Sequence, residues 1–336
     1  MQIDWNNLGF SFMPVKSHIR FSYKNGAWDS GTLYNDFNMS ISVAATCLHY
    51  GQACFEGLKA FSHKDGSIKI FRPNENIKRL NRTLDHIVAP EVPHDLFMEG
   101  LMRVIKDNIE YVPPYESEGA LYIRPLVIGT SPQIGIAPSK EYELAILVMP
   151  VGPYYKNGIK PVTAYIMEEY DRAAPSGTGH VKVAGNYAAG LKAKSIAHKK
   201  GAEVDLFLDP KHHEYIDEFG TSNFIAITKD GRYVTPDSKS VLPSITNLSL
   251  MKIAEDLGMK VEKRKIHRDE LPDFVEVGAC GTAVVITPVG KIMSEAGTID
   301  YGLSEIGPWL KKLYDRMTGI QRGDCEDKHK WLIEVK

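Results

Sequence analysis

The sequence has almost no net charge and few cysteines. Its 336 residues contain 40 lysines and arginines and 42 aspartates and glutamates, a formal net charge of −2 at pH 7. That balance gives no electrostatic footprint for nucleic acid or an anionic membrane. The four cysteines, Cys47, Cys54, Cys280 and Cys325, lack the paired spacing of a disulfide framework or a zinc site. We therefore expect a reduced, cytoplasmic protein without a metal, a nucleic-acid partner or a membrane partner.

Long hydrophobic runs and nucleotide motifs are absent as well. No window approaches the roughly 20 apolar residues of a spanning helix, and the start, MQIDWNNLGF, lacks the basic and apolar segments of a secretory signal. Neither Gly-x-Gly-x-x-Gly nor a P-loop occurs, which argues against a dinucleotide or Walker-type site. His212-His213-Glu214 falls at an expected hairpin tip, where adjacent histidines point to opposite sides of a strand, so we do not expect a metal site there. Ser249 to Lys252 (Ser-x-x-Lys) lies inside an expected helix and lacks a partner motif, so we interpret it as chance.

Short turn sequences divide the chain into predicted strands and helices. Asn25-Gly26, Asp65-Gly66 and Asp230-Gly231 each lie between strand-like residues and predict hairpins, and another is expected across Asp209-Pro210. Apolar spacing predicts helices and strands between them. The expected helices are 74–88, 95–111, 187–200, 245–257 and about 304–319, and the unbroken strand candidates are 120–129 and 142–150.

The length and the hairpins favour two α+β domains with mixed or antiparallel sheets over a doubly wound parallel fold. The stretch EEYDRAAPSGTG is polar and rich in small residues, which indicates a connector. The expected division is a small N-terminal α/β domain over 1–167, an interdomain loop over 168–179 and a larger C-terminal α/β domain over 180–336.

Lys182 is the residue whose surroundings most need an explanation. In GHVKVAGNYAAG its neighbours are small or apolar. A lysine in such a setting either extends to water from a short strand, which is the commoner fate, or is present for its amine. The second role requires an environment dry enough for the ammonium to lose its proton, as nucleophilic lysines do.

Several further stretches suggest an anion site. Ser244-Ile245-Thr246 falls at a helix start, where backbone N–H groups are unpaired, and Thr282 with Ala283 falls at a glycine-containing turn. Arg79 lies on a predicted helix and Glu218 lies beside apolar residues. Each stretch alone has an ordinary structural interpretation. Together they suggest a phosphate and a group that both a carboxylate and a lysine must touch.

Seven stretches of the sequence, taken in their order along the chain, match those of a known enzyme family. The chain resembles the branched-chain amino-acid aminotransferases, pyridoxal-phosphate enzymes of the fold shared with D-amino-acid transaminase and aminodeoxychorismate lyase (fold type IV). The matching stretches are LHYGQACFEGLKAF (48–61), IFRPNENIKRLNR (70–82), LYIRPLVIGT (121–130), KVAGNY (182–187), DEFGTSN (217–223), LPSITN (242–247) and GTAVVITPV (281–289). They extend over most of the chain.

The resemblance implies a role for each matching residue. Lys182 resembles the Schiff-base lysine of the C-terminal domain, and Glu218 the acid at the pyridine nitrogen. The other implied cofactor residues are Arg79 as the main phosphate cation, Ile245, Thr246 and Thr282 as phosphate donors, and Tyr187 as the partner of the phenolic oxygen. The implied substrate residues are Tyr122, Thr282 and Ala283 for the α-carboxylate, Arg124 for glutamate's second carboxylate, and Tyr50 and Phe55 for the apolar side chain.

The implied reaction is reversible amino transfer between leucine, isoleucine or valine and 2-oxoglutarate in a homodimer whose second subunit completes the side-chain pocket. D-amino-acid transamination or aminodeoxychorismate cleavage on the same fold remains an alternative. So does a phosphate-binding module in which Lys182 is structural. The sequence departs from the family at Ala184, where glycine is frequent, in the N-terminal GFSFMPVKSHIR, and in lacking the Cys-x-x-Cys that some animal members carry after this Gly-Thr.

Overall fold

The computed structural model describes residues 3–152 and 158–336. Its seven α-helices are α1 Thr46–Tyr50, α2 Pro73–His86, α3 His94–Asp107, α4 Ala184–Ala189, α5 Leu191–Lys199, α6 Ile245–Asp256 and α7 Pro308–Arg322. Its strands are β1 His18–Lys24, β2 Ala27–Trp28, β3 Thr32–Tyr34, β4 Ala53–Phe55, β5 Leu58–Ser62, β6 Ile68–Phe71, β7 Ala120–Gly129, β8 Tyr142–Val151, β9 Val162–Met167, β10 Val204–Leu208, β11 Ile216–Phe219, β12 Ser222–Thr228, β13 Tyr233–Pro236, β14 Val261–Arg264, β15 Phe274–Gly281, β16 Val285–Ser294, β17 Gly297–Asp300 and β18 Leu332–Glu334.

The described residues form two compact units. Unit one comprises residues 3–152, 181–185 and 320–336, and unit two comprises 158–180 and 186–319. This division differs from the expected one at 167 and 180. Residues 181–185 group with unit one because Val183 forms an isolated bridge with Cys54 of β4. The C-terminal strand β18 groups there because it pairs with β6.

Unit one is built on an antiparallel sheet with the strand order β18-β6-β5-β7-β8-β1-β2, and β3 and β4 pair with β1 and β7. Helices α2 and α3 pack on this sheet, and the core includes Phe21, Leu84, Phe97 and Ile146. Helix α3 buries Phe97, Leu101, Val104 and Ile105, a spacing that puts all four on one helical face. The sheet thereby fixes β4 and β7, which carry several candidate site residues.

Unit two has a mixed sheet. Its strand order is β11-β10-β9-β16-β15-β12-β13-β14, and the additional pairing of β11 with β12 closes six strands into a ring. Strand β9 runs parallel to β10 and β16, β13 runs parallel to β14, and the remaining pairs are antiparallel. The antiparallel first sheet and the mixed second sheet confirm the expected α+β class. The core of the ring includes Ile166, Leu206, Phe224 and Val277.

The turn signals and the long strands were predicted correctly. All four expected hairpins form, and β7 covers the predicted 120–129. The predicted helix over 187–200 is instead two helices, α4 and α5, because Gly190 separates them as the residue before α5. The last helix begins and ends a few residues later than expected, at Pro308 and Arg322. Among the described residues, no helix combines the length and apolarity needed to cross a membrane.

Candidate active site

Lys182 lies in a short extended segment held against β4 and α2 by its backbone. Its N–H donates to the Thr83 hydroxyl at 3.1 Å, and its carbonyl accepts the N–H of Phe55 at 3.3 Å. The Lys182 ammonium lies 4.6 Å from the centre of the Phe55 ring. The side chain is half-buried, so its amine is held at a defined place beside an aromatic face and not extended into bulk water.

Helix α2 carries Arg79 beneath this segment. Two guanidinium nitrogens of Arg79 donate to the two carboxylate oxygens of Glu56, Nε to Oε1 at 2.7 Å and Nη2 to Oε2 at 2.8 Å. Asn76, one turn earlier on α2, donates to Glu56 Oε2 at 2.7 Å. The Glu56 side chain has no exposed surface, and only 6% of the Arg79 side chain is exposed. This two-bonded pair fixes the orientation of Arg79.

The charge state of Glu56 follows from its neighbours. Burial opposes ionisation, but Arg79 and the Lys182 ammonium outweigh it and hold the pKa of Glu56 below its usual value. Glu56 is therefore a charged element of this site.

Strand β7 presents Tyr122 and Arg124 on one face, as their spacing of two predicts. Arg124 Nη2 donates to the Tyr122 hydroxyl at 2.7 Å, and its guanidinium lies 4.7 Å from the centre of the Phe55 ring. Phe55, Tyr122, Arg124 and Lys182 are thus brought together within unit one. Their arrangement places a cation and a phenol beside an aromatic wall.

Tyr50 has a different partner. It ends α1, and its hydroxyl donates to the Ile134 carbonyl in the loop after β7.

Lys59 was not predicted as a site residue, but it pairs with Tyr122 across β5 and β7 and so shares the Tyr122 face. Burial lowers the pKa of Lys59 to about 8. A second amine, besides that of Lys182, therefore lies in unit one on the Tyr122 face of the sheet.

In unit two, Glu218 on β11 is surrounded by donors. Oε1 forms an ion pair with Arg172 Nη2 at 2.7 Å and accepts the N–H of Leu242 at 2.8 Å, while Oε2 accepts from the Asn223 amide at 2.9 Å. Burial raises the pKa of Glu218 to about 7, although Arg172 and the other donors lower it. Glu218 is a buried carboxyl whose charge depends on what lies next to it.

A hydrogen-bond chain links Glu218 to the start of α6. The Asn247 amide donates to Asn223 Oδ1 at 3.2 Å and to the Thr235 hydroxyl at 2.8 Å, and Asn247 Oδ1 accepts from Tyr233. Ser244 caps α6 by accepting the N–H of Asn247. Ile245 and Thr246, the first two residues of the helix, are buried. The predicted anion site is therefore a helix N-terminus in a protein interior, where N–H groups attract negative charge most strongly.

The other predicted residues of unit two lie on α4 and on a hairpin. Tyr187 is half-buried in α4, whose neighbouring Asn186 exchanges two hydrogen bonds with Thr178. Thr282 and Ala283 are half-buried in the turn between β15 and β16. The two residues thus lie at the end of the β15–β16 pair, whose strand β15 also pairs with β12.

The sequence reasoning missed Glu56, Arg172 and Asn223. Glu56 and Asn223 lie inside quoted stretches, FEGLKAF and DEFGTSN, and Arg172 is the only arginine of the connector stretch EEYDRAAPSGTG. An arginine among small residues in a connector is a signal that could have drawn attention to it. The partners of these residues are distant in sequence, so the pairing itself was invisible.

Known proteins resemble this chain over most of its length. The family model described as amino-transferase class IV matches residues 53–292, which is more than half of the chain. A branched-chain-amino-acid aminotransferase of Haemophilus influenzae is 46% identical over 99% of both chains. The solved branched-chain amino-acid aminotransferase of Escherichia coli matches with a TM-score of 0.79 and 27% identity over 96% of this chain and 100% of its own.

A third relative is the T.th. branched-chain amino-acid aminotransferase, solved with pyridoxamine 5′-phosphate. It matches with a TM-score of 0.80 and 25% identity over 96% of this chain and 100% of its own. The chain therefore belongs to the class IV aminotransferases, which depend on pyridoxal phosphate, and within them to the branched-chain-amino-acid aminotransferases.

Proposed function

We propose that Lys182 is the catalytic residue with which this transaminase moves amino groups reversibly between leucine, isoleucine or valine and 2-oxoglutarate, giving branched-chain 2-oxo acids and L-glutamate. The observation that carries the proposal is the placement of the Lys182 amine. Its backbone is fixed to Thr83 and Phe55, and its side chain lies against the Phe55 ring within reach of the Glu56 charge.

The donor set supports pyridoxal phosphate as the group these residues hold. Lys182 offers the amine that attaches the cofactor's aldehyde, Glu218 the carboxylate for its ring nitrogen and Tyr187 a phenol for its ring oxygen. Carboxylate oxygens together accept about four hydrogen bonds, and Glu218 Oε2 accepts one among the described residues. An acceptor position thus remains for a ring N–H.

For the phosphate, we propose Arg79 together with the Ile245 and Thr246 N–H groups and Thr282. A buried helix start and an arginine are donors that suit a phosphate. Two Arg79 nitrogens already bind Glu56, so the arginine would meet the phosphate as a pre-oriented cation. Its charge is partly balanced before the phosphate arrives.

When bound, pyridoxal phosphate supplies a ring that takes up the electron pair left on the substrate's Cα. Lys182 Nζ acts first as a base that takes the Cα proton and then as an acid that returns a proton. Glu218, if ionised, holds the proton on the ring nitrogen. Tyr122, Thr282 and Ala283 orient the substrate by its α-carboxylate, which places the Cα proton at the lysine.

Two features favour branched-chain substrates over the D-amino-acid and lyase alternatives. Phe55 offers an aromatic wall for an apolar side chain, and Arg124 above that wall offers a cation for glutamate's second carboxylate. A pocket of this kind discriminates by about 1–3 kcal/mol per methylene. Tyr50 would complete the wall in cooperation with a second subunit.

The proposal is tested by following the visible absorbance of the cofactor-loaded protein. Leucine should bleach the band and 2-oxoisocaproate should restore it, whereas D-alanine should leave it unchanged. Lys182→Ala should abolish both changes and lower turnover by orders of magnitude, while the control Lys192→Ala on the exposed surface of α5 should behave like the parent. A protein bleached by D-alanine and not by leucine would favour the D-amino-acid alternative.

We also propose that the enzyme is a cytoplasmic homodimer. Val43, Leu48, Ile134 and Ile136 are between 60% and 87% exposed. The Tyr50–Ile134 and Gln133–Ala44 hydrogen bonds join the segment 43–50, which includes α1, to the loop after β7. An exposed apolar cluster of this kind is typical of a subunit contact. The free thiols of all four cysteines suit a reducing compartment. Light scattering should give twice the chain mass, and Ile136→Lys should shift it toward the monomer.

A further inference from the structure

Arg172 lies at a central position in unit two and contacts Glu218, although it is not one of the residues assigned to the cofactor or the substrate. It lies in the connector after β9, yet only 9% of its side chain is exposed. Its Nη2 is 2.7 Å from Glu218 Oε1, 2.6 Å from the Gly179 carbonyl oxygen and 2.5 Å from the Ser240 carbonyl oxygen. One nitrogen therefore joins the connector, the 240–242 segment and β11.

The backbone around Arg172 is packed to make this contact possible. A Cβ on Gly179 would fall well inside contact distance of the Ser240 carbonyl oxygen, so only glycine permits the approach of these two segments. The same 240–242 segment supplies the Leu242 N–H to Glu218 Oε1. The Arg172 guanidinium, which forms an ion pair with Oε1, and the Leu242 N–H, which donates to Oε1, are thus both held in place by the contact between the connector and the 240–242 segment.

The result is an asymmetric carboxylate. Oε1 receives Arg172 and Leu242, while Oε2 receives Asn223 alone among the described donors. The other titratable groups around Glu218 are Asp217, which neighbours it on β11, and the Cys280 thiol on β15. Asp217 disfavours a second negative charge, and the buried Cys280 thiol is neutral. Among the described residues, Arg172 is the cation whose charge counteracts the effect of burial on the pKa of Glu218.

We propose that Arg172 is a positioning residue that keeps Glu218 ionised and leaves its Oε2 open toward the ring nitrogen. Arg172 acts through Glu218 and touches neither substrate nor cofactor in this role. The inference rests on the proposed role of Glu218. It adds that the charge of Arg172, more than its hydrogen bonds to the two carbonyls, is what the reaction needs.

Two variants separate charge from hydrogen bonding. Arg172→Lys keeps the cation, and Arg172→Gln keeps donors for the carbonyl oxygens but removes the charge. The cofactor-free protein is titrated by infrared difference spectroscopy, with the protonated-carboxyl band of Glu218 assigned by its loss in Glu218→Gln. We expect Arg172→Gln to move the band's midpoint upward by about one pH unit or more, and Arg172→Lys to stay near the parent. An unmoved midpoint in Arg172→Gln would overturn the proposal.

Turnover of the loaded enzyme supplies the second measurement. Arg172→Gln should lower kcat at pH 7 by about fivefold or more, because a rise of one unit in a pKa near 7 lowers the ionised fraction of Glu218 at pH 7 from about one half to about one tenth. Raising the pH should recover much of that loss. In the Glu218→Gln background the same substitution should change kcat by less than about threefold. Equal losses in both backgrounds would mean that Arg172 acts independently of Glu218, which contradicts the inference.

A matched control removes another arginine that is paired near the connector. Arg268 binds Glu168 at 2.6 Å, so Arg268→Gln loosens the connector's start without touching Glu218. It should leave both the infrared midpoint and the pH profile unchanged. If wild-type protein failed to transaminate leucine, the proposed function would fail, while the titration of cofactor-free protein would still decide the link between Arg172 and Glu218.

Discussion

The carboxylate of Glu56 and the guanidinium of Arg79 meet through two parallel hydrogen bonds of 2.7 and 2.8 Å where neither side chain is open to water. A buried ion pair of this geometry has little net stabilising effect compared with apolar packing, but the loss of one partner leaves the other charge buried alone. The pair therefore orients Arg79, and both its members are sensitive to substitution.

Glu56→Gln should lower the free energy of unfolding at pH 7 by about 3 kcal/mol, because it leaves the Arg79 charge without its counter-ion. The pKa of Glu56 is lower in the folded protein than its ordinary value of 4.5. Its stabilising contribution is therefore full above pH 4.5 and is lost as the pH falls through the folded pKa.

Urea unfolding of cofactor-free protein at several pH values measures the free energies of unfolding of the parent and of Glu56→Gln. The difference between the two should become smaller below pH 4.5. Glu75→Gln is the matched control, because Glu75 also lies on α2 but pairs with the exposed Lys78. We expect its effect to stay within about 0.5 kcal/mol. A Glu56→Gln protein as stable as Glu75→Gln at pH 7 would contradict the buried-pair argument.

Glu218→Gln should leave cofactor binding nearly intact while lowering turnover by about 100-fold or more, a magnitude typical of removing one transition-state charge stabiliser. Gln keeps an oxygen for the Leu242 N–H but cannot hold a proton on the ring nitrogen. The measurement pairs cofactor affinity by fluorescence quenching with kcat for leucine. Wild-type turnover in this variant would show that the carboxylate charge is not used.

Arg124→Ala should reduce kcat/KM for glutamate and 2-oxoglutarate by about 10- to 100-fold more than for leucine and its 2-oxo acid. A hydrogen bond to a charged group contributes about 1.5–3 kcal/mol, and only the dicarboxylates have a second carboxylate. The two half-reactions are measured separately by single-turnover absorbance. Tyr122→Phe controls for loss of the Arg124–Tyr122 hydrogen bond, and equal losses on both half-reactions would exclude Arg124 as the dicarboxylate's partner.

The sequence predicted best those features that depend on neighbouring residues. Asn25-Gly26 and Asp230-Gly231 specify tight turns locally, so their hairpins were correct. Pairings between distant residues were out of reach. Nothing in FEGLKAF indicates that Glu56 binds Arg79, 23 residues later. This buried pair forms only when the segment after β4 packs against α2.

The placement of Lys182 likewise depends on contacts with residues distant in sequence, which could not be predicted. Its chemistry was suggested by apolar neighbours and family resemblance, and its assigned roles stay predictions. Its membership of unit one was not foreseen, since the hydrogen bonds that hold it run to Thr83 and Phe55, which lie 99 and 127 residues earlier. Sequence order placed it after the connector, whereas backbone pairing places it beside β4.

Gly57→Ala offers a test of how closely the sheet sets Tyr122. A Cβ at Gly57 would lie 2.5 Å from the Tyr122 hydroxyl oxygen, with the next ring atom at 3.3 Å. The hydroxyl must therefore move, which also disturbs its bond from Arg124. Overpacking of this kind costs about 1–3 kcal/mol of stability, and a displaced phenol should raise KM for every amino-acid substrate because all of them share the α-carboxylate.

The double variant Gly57→Ala/Tyr122→Phe separates the two effects. Removing the hydroxyl leaves the added methyl group only the 3.3 Å ring contact, so thermal stability should return close to that of Tyr122→Phe alone. KM should stay high, because the phenol that we assign to the α-carboxylate is gone. A double variant that regained a low KM would mean that the Tyr122 hydroxyl does not bind substrate and that Gly57 is required for packing alone.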